Sequence, residues 1–227
     1  MITGILRKLR VAALAGALLA GLGGDGAAQQ SPDAGALLGR AARTYRSLES
    51  LRADFEQVIA DRMVGTFTSR GTLFQAGDNK LALRFSDPAG DAIVVDGEHV
   101  WIYTPSTTPG QVIRSPVPTG GPVYGYNLLA WFLDRPAERY DAEYVRRDTL
   151  AGRTVDVVAL APLSPEMPFR SAVVWLDRAD ALPRRLEITE RSGGTRTLTL
   201  ANLRPNAAMP RDAIRFEVPS GVRVVER

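Results

Sequence analysis

Residues Leu81–Pro105 read LALRFSDPAGDAIVVDGEHVWIYTP, and the period of this stretch decides the fold class. Leu81, Leu83 and Phe85 alternate with Lys80, Ala82 and Arg84. A period of two puts the first set on one face of a strand and the second on the other. The apolar face is expected to be buried, and Arg84 to be an outward residue of little consequence. Two further β-forming runs, Ala92–Val95 and Val100–Tyr103, flank Asp96-Gly97. Asp-Gly between such runs signals a hairpin, because the tight turn needs positive φ.

The same signal repeats on both sides. Ala76-Gly77-Asp78-Asn79, Ala151-Gly152 and Gly193-Gly194 are turn sequences. The runs Val155–Leu160, Ala172–Asp177, Arg185–Glu190 and Arg196–Leu200 lie between or beside them. Leu51, Ala53 and Phe55 alternate with Arg52, Asp54 and Glu56 further upstream. Many strands joined by tight turns predict one large, mostly antiparallel sheet.

Two segments depart from this period. Leu37, Leu38, Ala41, Tyr45 and Leu48 recur at helical spacing, with Ser31 expected as N-cap, Pro32 at the first helical position and Asp33 in the first turn. Arg40, Arg43 and Arg46 fall mostly off that stripe and are expected in solvent. Asn127–Leu133 (NLLAWFL) is apolar all round and stops before Asp134-Arg135-Pro136, which predicts a short buried helix or lid. Thr104–Tyr126, rich in Pro, Gly, Ser and Thr, is expected to be a long irregular connection.

The first 28 residues form a separate pattern. Arg7, Lys8 and Arg10 precede the apolar run Val11–Leu22, and small residues follow, with Gly26 and Ala28 at the −3 and −1 positions before Gln29. This is the layout of a cleaved secretory signal peptide. A membrane-spanning helix would need roughly 20 apolar residues. The expected organisation is a signal peptide over 1–28 and a single domain over 29–227, located in the periplasm. The net charge of +3 includes three basic residues and Asp25 within that leader, so the remainder is near +1. No basic block follows a phosphate backbone, and nucleic acid is not an expected partner.

The chain has no cysteine and one histidine, His99. Cysteine nucleophiles, zinc–thiolate sites and multi-histidine metal sites are thereby excluded. His99, just after the Asp96-Gly97 turn, reads as a polar residue at the edge of the sheet; a catalytic base or pH sensor is the alternative. Asp177/Asp180 and Glu187/Glu190 are expected to be solvated carboxylates rather than an acid–base pair. No catalytic residue and no cofactor is expected.

Leu81–Pro105 also resembles the periplasmic outer-membrane lipoprotein carrier (LolA) family: an aromatic-ended strand, Pro88, an apolar strand into Asp96-Gly97, then Trp101-Ile102-Tyr103 before Pro105. The opening is similar too, with Leu48, Leu51, Phe55 and Gln57 after a helix, as is the close at Phe216–Val222, FEVPSGV. The resemblance implies a mainly β (α+β) fold, an incomplete antiparallel β-barrel. Its strongly curved sheet would be closed by an N-terminal helix and a short internal lid helix. It also implies a monomer that holds lipoprotein acyl chains in an apolar cavity. Cargo would come from an inner-membrane ABC exporter and pass to an outer-membrane lipoprotein receptor or the membrane. The expected lining comprises Phe55, Leu81, Leu83, Phe85 and Ile93 of the first strands. Trp101 and Tyr103 would join from the next strand, and Leu128, Trp131 and Phe132 from the lid. Plain core packing is the competing reading of each. The family's basic residue and proline before the Leu81 strand are replaced here by Ala76-Gly77-Asp78-Asn79, so their hand-off role is not carried over. A sensor of envelope lipids or lipoproteins on the same scaffold is the second reading, and a hydrolase using His99 the third.

Overall fold

The computed structural model describes residues 31–63, 65–77, 80–118 and 126–227. The expected 1–28 leader and positions 78 and 79 of the Ala76–Asn79 turn lie outside them. Helix α1 spans Ala34–Arg46. It is followed by β1 (Ser50–Asp61), β2 (Gly65–Ala76), β3 (Lys80–Asp87), β4 (Ala89–Val95), β5 (His99–Tyr103) and β6 (Gln111–Pro116). Two short helices, α2 (Leu128–Leu133) and α3 (Pro136–Arg139), lead into β7 (Tyr140–Leu150). The rest is β8 (Arg153–Pro162), β9 (Phe169–Asp177), β10 (Pro183–Glu190), β11 (Thr195–Pro205) and β12 (Arg223–Glu226). Pro32–Arg227 forms one compact unit.

All the strands join one twelve-stranded sheet in the order β12-β6-β5-β4-β3-β2-β1-β11-β10-β9-β8-β7. Every pairing is antiparallel except β12 with β6. The edge strands β7 and β12 do not pair with each other, so the sheet curls without closing. The incomplete barrel expected above is present.

Local chemistry sets the turns and the bends. Gly97 has φ +106° in the Asp96-Gly97 turn, and Ala151-Gly152 takes φ +48° and +76° between β7 and β8. Gly71 has a different role. A Cβ there would lie 2.1 Å from the Arg84 carbonyl oxygen, where the β2–β3 register shifts between Arg70 and Gly71. Only a residue without a side chain lets the two strands approach so closely at that bulge.

Three expectations need correction. The cap of α1 is Asp33, not Ser31: its carboxylate accepts from the Ala36 N–H at 3.0 Å. Thr104–Tyr126 is not wholly irregular, because β6 lies inside it. Arg84 is not a free surface residue, because its guanidinium donates to the carbonyls of Arg215 and Ala213.

The main core fills the concave side. Leu38, Ala41, Ala42 and Tyr45 of α1 pack with Leu128, Leu129, Phe132 and Leu133 of α2 against strands from β1 to β5 and β8 to β11. A smaller cluster sits on the convex side, where Ala82, Ala92 and Val94 are covered by Phe74, Trp101, Ile214 and Phe216. The stretch after β11 therefore straps the outer face before β12 joins the edge.

Candidate apolar cavity

The concave face of β1, β2, β3 and β11 meets α2 across a small cavity. Phe55, Gln57, Leu73, Leu81, Leu83 and Leu198 line the sheet side, and Tyr126, Asn127, Leu128 and Leu129 the other. Its volume is about 20 Å³. That is room for about one water molecule. The helix LLAWFL thus occupies the space inside the curled sheet, and the resting cavity is nearly filled by protein.

Both ends of α2 are tied by polar groups. Asn127 caps its start, with Oδ1 accepting from the Ala130 N–H at 3.0 Å. The Tyr45 hydroxyl donates to Oε1 of the buried Gln75 at 2.7 Å and lies 3.4 Å from the same Asn127 oxygen. Gln75 in turn donates to the Gly77 carbonyl. At the far end Arg139 donates to the Trp131 carbonyl at 2.7 Å, and its guanidinium lies 4.2 Å from the centre of the Trp131 ring. The Tyr140 hydroxyl donates to the same carbonyl at 3.3 Å. Burial pushes the Tyr140 phenol up to about 12, partly offset by the neighbouring Arg139 charge.

The expected lining residues divide into four groups. Phe55, Leu81, Leu83 and Leu128 meet at the cavity. Phe85 sits beside it, edge-on to Phe55 with ring centres 5.2 Å apart. Ile93 lies opposite Leu83 and Ile102 in the ladder, on the same concave face. Trp131 packs on the main core under Arg139. Phe132 is buried among Tyr140 and Phe169, at 5.6 and 5.2 Å, and is an anchor of α2 rather than a wall of the cavity.

Trp101 and Tyr103 are on the other side of the sheet. Phe216 lies 5.4 Å from Trp101 and 5.7 Å from Tyr103, ring centre to ring centre. Val100 and Ile102, which alternate with them in β5, face the main core instead. Alternation permits either set to point inward. The aromatic set points outward because the C-terminal strap offers Ile214 and Phe216 to cover it, a partner too distant in sequence to be read from β5. Leu73, Leu198 and Tyr126 were also missed as lining. Leu73 could have been found from the alternation Leu73/Gln75 in β2.

The titratable groups do not converge on this cavity. His99 is half-buried at the start of β5, 5.9 Å from Trp101, and its backbone N–H donates to Asp96. Asp177, expected in solvent, is instead buried between Arg153 and Arg184. Burial alone would raise it, but hydrogen bonds from Arg153 and the Ala179 N–H, with the charge of Arg184, hold it below its ordinary value. No group of three or more His, Asp or Glu among the described residues is placed to hold a metal ion.

Residues 46–217 match the family model described as outer membrane lipoprotein carrier protein LolA. The chain belongs to that family. Over 192 residues it is 25% identical to the outer-membrane lipoprotein carrier protein of Halorhodospira halophila, covering 80% of this chain and 82% of that one. Over 182 residues it is 24% identical to the protein of the same name from Methylobacillus flagellatus, covering 80% and 84%. An uncharacterized conserved protein of Thermus thermophilus shares the fold, with a TM-score of 0.55, 15% identity, and coverage of 86% of this chain and 99% of that one. A chain of the Pseudomonas aeruginosa MucA/MucB complex has a TM-score of 0.52 at 20% identity, over 86% of this chain and 64% of that one. The family model and both curated relatives carry the name of outer-membrane lipoprotein carriers. The polar ties on α2 in this member come from Tyr45, Gln75, Asn127 and Arg139.

Proposed function

We propose that this LolA-family protein is exported with removal of residues 1–28 and acts as a periplasmic chaperone. In this reading it takes lipoproteins from an inner-membrane ABC exporter, holds their acyl chains on the concave face, and delivers them to an outer-membrane receptor or membrane. One observation supports it above the rest: the apolar concave wall of Phe55, Leu73, Leu81, Leu83 and Leu198 is covered by a six-residue helix instead of a large fixed element. Acyl chains bind by displacing α2 from that wall.

The energies are comparable, which makes the exchange feasible. Lifting α2 uncovers Leu128, Leu129, Phe132 and Leu133, each costing about 1.5–3 kcal/mol on full exposure. An acyl chain of about 16 carbons returns roughly 0.8 kcal/mol per buried methylene. One chain about balances the displaced helix, and two or three exceed it. Affinity then depends on the number of chains, which suits a carrier of multiply acylated lipoproteins over a binder of single fatty acids.

The test is titration of the purified protein with a triacylated lipopeptide and with its deacylated form, read by native mass spectrometry. A 1:1 complex with the acylated form alone is expected. Equal binding of both forms would sink the proposal.

A further inference from the structure

The outer part of β2 runs past β3, while β1 beside it stays paired with β11 as far as Ala60↔Thr195. β3 pairs with β2 only from Arg70 to Ala76, so Gly65–Ser69 are held by β1 alone. The overhang continues the concave face. The facing pairs Phe55↔Gly71, Gln57↔Ser69 and Ile59↔Phe67 share one side of the unbroken β1–β2 register. The cavity wall at Phe55 and Leu73 thus extends outward through Ile59 and Phe67. It ends in a turn whose Met63 is 94% exposed, while Phe67 is 57% exposed. Among the described residues these are the two most exposed large apolar side chains at this end apart from Leu163, which follows β8 there.

Basic groups flank the tongue, beside Asp61 and Glu190 of the adjoining cleft. Arg62 is in the turn itself and is exposed. Arg191, in the β10–β11 turn, borders the same 400 Å³ cleft as Ile59, Ala60 and Asp61. The Arg191 guanidinium donates to the carbonyls of Met167 and Pro165, and Arg170 donates to the Arg191 carbonyl. Arg62, Arg170 and Arg191 have no carboxylate partner among the described residues, whereas Arg70 further back is paired with Glu56 and Asp87.

We infer that this tongue is a membrane-docking element: Met63 and Phe67 insert into the interface of an anionic bilayer, and the flanking arginines meet its phosphates. A narrow tip with two bare apolar side chains and a basic collar fits a lipid interface. It is too small for a stable protein partner, which needs about 800 Å² on each side. Docking there places the open end of the concave wall against the bilayer, so an acyl chain passes from cavity to membrane along Ile59 and Phe67 with little exposure to water. That use of the tongue rests on the carrier reading. The docking itself does not.

The absence of cysteine makes the test local. Met63→Cys and, as control, Val145→Cys on β7 are each labelled with an environment-sensitive fluorophore in the full chain and mixed with vesicles of phosphatidylglycerol and phosphatidylethanolamine. The expected result is a blue shift with increased intensity at position 63 and none at 145, reduced by salt and in phosphatidylcholine vesicles. Adding Phe67→Glu should weaken the response at least about tenfold, since one large apolar side chain is lost from the interface. No shift at 63, an equal shift at 145, or a response unaffected by Phe67→Glu would each overturn the inference. A shift produced by the purified exporter or receptor but not by vesicles would also overturn it, in favour of a protein partner. Lipopeptide capture by the same variants reads the carrier function separately: retained capture without vesicle docking discards the tongue and leaves the carrier.

Discussion

The two faces of one sheet are both apolar here, yet they are covered in different ways. On the convex side the strap lies over Ala82, Ala92 and Val94 with Phe216 against Trp101, and Arg84 holds two of its carbonyls. Its continuation, β12, is then bonded into the sheet edge along β6. On the concave side the wall faces a six-residue helix with no strand pairing of its own, tied by side chains at its two ends. Removing the strap would break backbone ladder bonds as well as apolar contacts. Removing α2 breaks a few side-chain hydrogen bonds and exchanges one apolar surface for another. A binding face and a structural face are therefore distinguished less by their composition than by how their covers are attached.

The sharpest break in that comparison is a charge on the concave wall. Leu83→Glu sets a carboxylate in the half-buried concave wall, where an unpaired charge costs several kcal/mol unless it protonates or reaches water. Lipopeptide binding should be abolished while circular dichroism shows a folded sheet. If Leu83→Glu binds like the parent, the concave wall is not the acyl site. If it is unfolded at room temperature, the wall is core.

Stability should respond in the opposite order. Phe132→Ala removes the anchor of α2 between Tyr140 and Phe169 and should cost about 3–5 kcal/mol in chemical unfolding. Trp101→Ala on the convex side, half-buried under the strap, should cost less, about 1–3 kcal/mol, and leave lipopeptide affinity unchanged. A loss of affinity in Trp101→Ala would show that the two faces are coupled.

High pH offers a test without mutation. Tyr140 ionises near 10 in the unfolded chain but at about 12 when folded, because burial disfavours the phenolate. Its stabilising contribution is complete below pH 10 and is lost as pH rises through 12. The melting temperature of the parent should fall across that interval, and that of Tyr140→Phe should fall less. Parallel slopes would mean that Tyr140 is not the buried group beneath α2.

How much of this was legible in the sequence follows the range of each signal. The alternating runs, the turn glycines and the buried NLLAWFL helix are local, set by residues within a few positions of one another, and the structure has them, but β2, β6 and β12 were not among the runs read. Which face of β5 turned inward was not local. Trp101 and Val100 are both apolar, and the choice between them was made by Phe216, more than a hundred residues away. β7 (YDAEYVRRDTL) escaped notice because an edge strand exposed along much of one side carries too few apolar residues to show a period. Asp177 looked like a turn carboxylate because Arg153 and Arg184, which bury and pair it, arrive from neighbouring strands.

The smallest expected effect probes the attachment of α2 most directly. Tyr45 of α1 donates to Gln75 of β2 and touches the Asn127 cap, so one hydroxyl links the N-terminal helix, the sheet and the start of the lid. Tyr45→Phe keeps the buried ring and removes that link. The cost to global stability should be about 1–2 kcal/mol, because the Gln75 carbonyl is left without this donor in a buried place. Double replacement, Tyr45→Phe with Gln75→Leu, should recover part of it, since removing both partners avoids the orphaned acceptor. The kinetic effect is the telling one. If Tyr45 ties down α2, stopped-flow mixing of either variant with a hydrophobic dye should show uptake several-fold faster than in the parent, in proportion to the greater population of the open form. An unchanged uptake rate beside a lowered stability would mean that Tyr45 supports the core in general, and that α2 is held by Arg139 and apolar contact alone.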